Sequence, residues 1–229
     1  MLASIVIRTK NEEKWLGKVL EKLYHQTLQD FEVIIVDSGS TDKTLDIIKN
    51  FPVKLFQIKP REFNYSYALN LGISKARGVF ICVLSGHSVP IGNKFLENGL
   101  KNFSDPAIAG VSGYNYPLPD APFYEKIIVE RGKRKVWQQL DNRVSLFPKK
   151  LWKSYPFDES LSNCEDYDWG QEMIARGYKL IRDPEFSVYH SHYSLRGKLK
   201  AELWDWRKTI RKINKRQRLG KSFTKIKSA

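Results

Sequence analysis

Phe31-Glu32-Val33-Ile34-Ile35-Val36-Asp37-Ser38-Gly39-Ser40-Thr41-Asp42-Lys43-Thr44 is the stretch on which the reading of the whole chain turns. Residues 33–36 are four consecutive β-branched side chains, the composition of a strand buried on both faces of a parallel sheet. The run ends on a carboxylate, a Ser-Gly-Ser turn and a Thr-Asp helix start. In open α/β sheets ligands bind beyond the carboxyl ends of the strands, so Asp37 and Ser38 stand where a nucleotide would lie. An Asp with neighbouring hydroxyls also caps helices, and that structural role competes with the ligand-binding one.

Outward from this stretch, strand and helix patterns alternate. Residues 4–7 form a strand pattern, after which Leu16, Val19, Leu20 and Leu23 fall at i, i+3, i+4 and i+7, the stripe of an amphipathic helix. Asn11 is the expected cap of that helix, with Glu12 and Glu13 in its first turn. A helix over 41–50, a strand over 53–56, a helix marked by Ala68, Leu71 and Ala76, and an apolar strand over 79–84 follow. This βαβαβαβ order predicts an α/β fold, a mostly parallel central sheet with helices on both faces.

Beyond residue 105 the rhythm changes. A strand over 107–111, a turn-rich 113–122, a strongly charged helix over 123–140, a short strand over 144–147 and a helix over 167–176 stopped by Gly177 are expected. The second half decorates the first. The expected organisation is one domain over 1–195, with a nucleotide-binding half to about 105 and an acceptor half over 106–195, then a basic helical tail over 196–229.

A hydrophobic content of 41% over 229 residues excludes a disordered chain. Two cysteines, Cys82 and Cys164, are too few for a disulfide framework or a Cys-rich zinc module, which suits a reducing compartment. The amino-terminal residues lack the basic and apolar regions of a secretory leader, and no apolar run approaches eighteen residues. A cytoplasmic protein, peripheral on the inner face of the membrane, is expected.

The net charge of +14 is unevenly placed. Residues 196–229 carry thirteen Lys or Arg against Glu202 and Asp205, a net +11, leaving +3 for the preceding 195 residues. With Leu203, Trp204, Trp206, Ile210 and Ile213 interspersed, this tail suits an anionic membrane surface. Nucleic acid also attracts such charge, and a solvated helix is the plain alternative.

Three clusters carry candidate chemistry. The first is the Asp37 turn. The second is Ser85-Gly86-His87-Ser88, directly after the 79–84 strand, where an imidazole can meet a metal or a phosphate, or simply bond to loop backbone. The third is Cys164-Glu165-Asp166-Tyr167-Asp168 at a helix start. The macrodipole favours acids there, yet three carboxylates exceed what capping needs and one of them is available as a general base. Downstream, His190 and His192 sit two residues apart in an extended pattern and so share a face.

The order of these motifs resembles the family 2 glycosyltransferases: residues 4–12, Val36-Asp37-Ser38-Gly39-Ser40-Thr41-Asp42, Ala68-Leu69-Asn70-Leu71-Gly72-Ile73 and Glu165-Asp166 with Gly177-Tyr178. The resemblance spans residues 2 to about 195 and implies a GT-A fold. The activity it implies is inverting transfer from a nucleotide-sugar donor to a glycan or lipid-linked acceptor in surface polysaccharide biosynthesis. It assigns Asp166 as general base beside Glu165, and Thr9, Asp37, Ser38, Asn70 and Ser85 to the donor.

Most members carry an Asp-any-Asp element for a divalent metal where this chain reads Ser85-Gly86-His87. Two outcomes stay open. His87 with His190 or His192 ligates Mn²⁺ or Mg²⁺, or the site works without metal and neutralises the diphosphate with His87 and cations such as Lys59 and Arg61. A catalytically silent sugar-nucleotide-binding or scaffolding protein is the alternative function. A sugar nucleotidyltransferase would want a Gly-rich phosphate loop, and residues 8–12 contain no glycine.

Overall fold

A computed structural model describes residues 1–121, 133–191 and 207–214. Eleven strands are described: β1 (Ala3–Thr9), β2 (Phe31–Asp37), β3 (Lys54–Gln57), β4 (Phe80–Ser85), β5 (Val89–Pro90), β6 (Ile108–Ser112), β7 (Asn115–Tyr116), β8 (Lys135–Trp137), β9 (Val144–Pro148), β10 (Lys179–Arg182) and β11 (Val188–Tyr189). The helices between them are α1 (Leu16–Tyr24), α2 (Thr44–Ile48), α3 (Tyr65–Lys75), α4 (Phe95–Leu100), α5 (Lys149–Ser154) and α6 (Glu165–Ala175). A further helical stretch covers 207–214.

The main sheet runs β3-β2-β1-β4-β9-β6-β10-β8. Its first four strands are parallel neighbours, β9 is inserted antiparallel to both β4 and β6, β6 and β10 are parallel, and β8 closes the edge antiparallel to β10. A small sheet, β5-β11-β7, stands beside it.

Strand alternation sorts the core into two layers. Ile5, Ile7, Val33, Ile35, Cys82 and Leu84 meet α1, α2 and α4 on one face, whereas Val6, Ile34, Ile81, Val83 and Phe147 meet α3, α5 and α6 on the other. All four apolar positions of the α1 stripe are fully buried, each worth about 1.5–3 kcal/mol relative to exposure. Trp169 and Met173 do the same for α6, which ends where Gly177 adopts φ +87, a conformation glycine takes without steric cost.

Several expectations need correction. Asn11 does not cap α1, whose N-cap is Trp15 without a side-chain bond. Instead Asn11, itself at φ 55, accepts the Thr41 N–H on Oδ1 at 2.8 Å, because the loops after β1 and β2 run side by side and their polar groups satisfy one another. The second helix is confined to 44–48, since residues 41–43 are used in that loop pairing through Asp42 and Lys43. Val79 is 60% exposed and lies outside β4. Where a charged helix was expected over 123–140, residues 135–137 form an edge strand on β10; residues 122–132 lie outside the described residues.

Candidate active site

The carboxyl ends of β1, β2 and β4 meet at one rim. The parallel register sets Thr9 opposite Asp37 and Arg8 opposite Ser85, which fixes the three candidates Thr9, Asp37 and Ser85 relative to one another. The Ser38 N–H donates to Thr9 O at 3.0 Å and the Gly86 N–H to Arg8 O at 2.9 Å, so both following loops are pinned to β1.

Asp37 is fully buried and works as the organiser of its turn. Its Oδ2 accepts the N–H groups of Gly39 and Ser40, both at 3.0 Å, and its Oδ1 accepts the Ser40 hydroxyl. Both carboxylate oxygens are thus engaged within the turn; Asp37 does not cap the following helix, whose N-cap is Lys43 without a side-chain bond. The polar atoms this leaves for a ligand belong to its neighbours. Among the described residues, Thr9 Oγ1, Ser38 Oγ and Arg8 Nε are buried without a hydrogen-bond partner. Buried groups of this kind are almost always satisfied, so three at one rim mark a place where a polar ligand would bond.

They adjoin a cleft of about 330 Å³ whose wall includes Arg8, Thr9, Lys10, Ser38, Tyr65, Ser85, His87 and Arg143. Three of these are permanent or near-permanent cations. Arg8 also lies over the Tyr65 ring, 4.8 Å from its centroid, which fixes its guanidinium at the mouth. Lys59 and Arg61, expected as cationic helpers, sit on an exposed 3₁₀ turn and are not in the wall. A larger cavity of about 470 Å³, lined by Arg77, Phe80 and Lys149 among others, lies at the opposite ends of the strands.

His87 and His190 are brought together. Their rings stack with centroids 4.4 Å apart, His87 Nδ1 is 2.7 Å from Glu12 Oε1, and His190 Nδ1 is 2.9 Å from Ser88 Oγ. The small β5-β11-β7 sheet makes this contact by holding the His190 segment against the loop after β4, with the His190 N–H donating to Tyr116 O. His192 lies outside the described residues.

Glu165 and Asp166 open α6, where the unsatisfied N–H groups favour carboxylates. Asp166 accepts the N–H of Asn142 on Oδ2 at 3.0 Å and of Tyr167 on Oδ1 at 2.8 Å. Glu165 accepts from Asn142 Nδ2 at 3.2 Å and lies 4.0 Å from Arg8 Nη1, which ties the pair to the β1 rim. Asp141 receives the Arg143 guanidinium in a two-pronged ion pair, with bonds of 2.9 and 2.6 Å.

Lost hydration, then repulsion from Glu165 and from Asp141, push the Asp166 carboxyl up to about 7, against the two N–H bonds that pull it down. Arg143, beside both Asp141 and Asp166, is held more firmly protonated by the Asp141 charge. The arrangement therefore sets a carboxyl able to exchange a proton near neutral pH behind Arg8 and Arg143 of the cleft wall, while Glu165 and Asp166 do not themselves line the cleft.

Asn70 stands apart from this group. Its amide donates to Phe157 O and to Glu159, and accepts from Trp152 Nε1 and the Phe157 N–H, so it is spent tying α3 to the segment after α5. Arg8, Asp141 and Arg143 were missed as site residues. Arg8 had a signal, its place at the end of a strand run; Asp141 and Arg143 had only their position before β9.

This mixed sheet with a polar rim at the ends of its leading strands is that of the GT-A glycosyltransferases. Among solved structures of that fold, the mannosyltransferase PcManGT from Pyrobaculum calidifontis, in complex with GDP-Man and Mn²⁺, superposes with a TM-score of 0.68 at 20% identity, covering 85% of this chain and 58% of that one. TarS of S. aureus superposes with a TM-score of 0.66 at 18% identity over 83% of this chain and 60% of that one.

Residues 4–154 match the sequence model of glycosyl transferase family 2, and the chain belongs to that family. A dolichyl N-acetyl-α-D-glucosaminyl phosphate 3-β-D-2,3-diacetamido-2,3-dideoxy-β-D-glucuronosyltransferase from Methanococcus voltae is 29% identical over 228 residues, 87% of this chain and 70% of the relative. The O-antigen chain rhamnosyltransferase RfbN of Salmonella typhimurium is 26% identical over 212 residues, 84% of this chain and 67% of the relative. The chain thus spans about 58–70% of the length of these four proteins.

Proposed function

We propose that this chain transfers a sugar, with inversion, from a nucleotide-sugar to a hydroxyl of a glycan or lipid-linked acceptor in surface polysaccharide biosynthesis. The observation that carries the reading is the Glu165–Asp166 pair, reached from the cleft through two cations of its wall, Arg8 at 4.0 Å from Glu165 and Arg143 beside Asp166, with the Asp166 carboxyl raised in proton affinity. In this reading Asp166 takes the proton of the acceptor hydroxyl as it attacks the anomeric carbon, because a base whose pKa lies near the working pH combines availability with driving force. Glu165 and Asp141 keep that affinity high. Thr9 Oγ1, Ser38 Oγ and the Ser85 edge face the nucleotide, with Asp37 shaping their loop, and the organisation into donor and acceptor halves at about residue 105 follows this division of labour.

The leaving diphosphate needs positive charge. Among the described residues no three His, Cys, Asp or Glu side chains group to hold a metal ion. The His87 and His190 rings stack instead of converging, and the Nδ1 of each is engaged by Glu12 or Ser88. Among the described residues this donor set does not converge on a metal ion, and His192 lies outside them. Arg8, Lys10, Arg143 and His87 are the groups placed to neutralise the diphosphate, the kind of fixed cationic clamp that stabilises charge developing on a leaving group.

The acceptor class draws support from the Methanococcus voltae relative, whose name specifies a dolichyl phosphate-linked sugar. No helix among the described residues is long and apolar enough to cross a membrane. We place the chain at the inner face of the membrane through its basic carboxy-terminal stretch. Of the apolar residues expected to enter the membrane, however, Ile213 is fully buried against the protein and Ile210 packs beside it; Leu203, Trp204 and Trp206 lie outside the described residues. Among the described residues of the stretch, the exposed Arg207, Lys208, Arg211 and Lys212 supply the attraction.

The test is a thermal-shift panel of UDP, GDP and dTDP, each with and without Mn²⁺ or Mg²⁺, followed by transfer assays with the sugar conjugates of whichever diphosphate stabilises the fold. Stabilisation by one diphosphate, transfer by the wild type and none by Asp166→Asn is expected. Binding without transfer from any conjugate would establish the silent-binder alternative instead.

A further inference from the structure

Cys164, the residue before α6, holds φ 65 and ψ 25, a left-handed conformation that a non-glycine side chain adopts only where its surroundings impose it. No side-chain cap supports this helix start. What surrounds Cys164 is a small apolar cluster of its own, made with Leu161 and Ile213, against which Tyr167 and Ile210 pack. Ile213 and Ile210 come from the helical stretch 207–214. Ile213 is 0% exposed, and the next residue, Asn214, accepts the Tyr167 hydroxyl on Oδ1 at 3.0 Å.

The carboxy-terminal helix therefore touches the chain on both sides of Glu165 and Asp166. It packs on Cys164 just before the pair and bonds to Tyr167 just after it, and the Tyr167 N–H is one of the two donors that orient Asp166. We propose that helix 207–214 is a positioning strut for the Glu165–Asp166 pair, with Ile213 and Asn214 as positioning residues acting through Cys164 and Tyr167. The inference rests on the reading of Asp166 as the base. It differs from a membrane-anchor role for the same stretch, because the face that anchors inward is the apolar one and the four exposed cations lie on the other side.

The strut is local to the acceptor end. Among the described residues the apolar cluster and the Tyr167–Asn214 bond include neither Thr9 nor Ser38, and the pair meets the β1 rim only at the long 4.0 Å contact of Glu165 with Arg8, so loosening the cluster should disturb the carboxyl pair more than nucleotide binding.

The experiment compares the full-length wild type with Ile213→Ala, Tyr167→Phe and the conservative Ile213→Val. In Ile213→Ala, hydrogen exchange across 161–170 should quicken on the order of tenfold while exchange in β1, β2 and β4 is unchanged. UDP and GDP affinities should stay within about twofold, and kcat should fall about tenfold or more with KM for the donor held. Tyr167→Phe should show the same pattern in smaller measure, and Ile213→Val should restore wild-type values. Unchanged exchange over 161–170 in Ile213→Ala overturns the proposal, and so does a parallel loss of nucleotide affinity, which would make the helix a general structural support. A wild-type chain that transfers no sugar from any UDP, GDP or dTDP conjugate overturns the proposed function instead, and the exchange and affinity measurements still decide the strut.

Discussion

The ring of His87, part of the cleft wall, lies on the ring of His190, 4.4 Å between centroids and 27° between planes. Glu12 and Ser88 hold the two rings by their Nδ1 atoms. Mn²⁺ or Mg²⁺ alone should accordingly leave the melting temperature unchanged, since such ions need several converging oxygen ligands. His87→Ala should weaken nucleoside diphosphate binding about tenfold, the loss of one hydrogen bond to a charged group. Thermal scans with either ion check the first point and titration calorimetry with UDP and GDP the second, and a metal-induced shift of the nucleotide-free protein would count against this account.

The raised proton affinity of Asp166 has consequences for both rate and stability. Transfer should decline as pH falls below neutrality, because protonated Asp166 cannot accept the acceptor proton. For stability the sign is the reverse. Between the ordinary carboxylate range and the raised value, the native state binds a proton that the unfolded chain has released, so Asp166 destabilises the fold progressively as pH rises through that interval. Asp166→Asn, which cannot ionise, should raise the melting temperature more at pH 8 than at pH 5 while abolishing transfer and sparing nucleotide affinity. Calorimetric scans at the two pH values test this; equal effects at both would show that Asp166 is not held protonated.

The parts of this chain that the sequence makes legible are those where one physical demand acts alone. β1, β2 and β4 are buried on both faces, so their apolar runs are unbroken and readable, and α1 declares itself through four inward positions. β8 carries a helix-like charged pattern because Lys135 and Val136 serve an edge whose cations stack on aromatics: Lys135 and Arg182 both lie over the Trp137 ring. That long-range pairing with β10 has no local signature. Among site residues, Asp37 and Asp166 end or begin regular elements and stand out. Arg143 does not, because its importance comes from being folded onto Asp141 and towards Asp166. Asn70 matched a motif but is consumed by packing, a distinction only coordinates reveal.

Glu32, at the amino end of β2 and far from the cleft, ties the sheet together. It accepts the Ser4 hydroxyl at 2.8 Å, the Arg77 N–H at 2.6 Å and the Lys54 ammonium at 2.7 Å. Burial alone would raise its pKa, but the bonds from Lys54, Arg77 and Ser4 outweigh that and bring it down to about 2. A depressed carboxylate contributes stability that is present above its unfolded value and is lost as pH falls towards the folded one. Glu32→Gln should therefore cost about 1–3 kcal/mol at neutral pH and flatten the acid limb of the stability curve between roughly pH 4.5 and 2. Urea midpoints measured across that range, with catalytic constants unchanged at pH 7, are the check.

The basic stretch makes a prediction that separates its two faces. Because Ile210 and Ile213 face the protein, membrane attraction comes mainly from charge, and it should depend on anionic lipid and on salt. Changing Arg207, Lys208, Arg211 and Lys212 together to Gln removes four exposed cations, each worth about 1 kcal/mol near an anionic surface, while leaving the buried face and the Tyr167 bond in place. Partitioning onto phosphatidylserine-containing vesicles should drop on the order of a hundredfold or more at low ionic strength, with transfer to a soluble acceptor unaltered. Deleting residues 196–229 should abolish vesicle binding and also reduce transfer, because it takes the Ile213 contact with it. Sedimentation with anionic and neutral vesicles distinguishes these variants. Undiminished binding after the deletion, or equal binding to neutral vesicles, would mean that another surface of the protein meets the membrane.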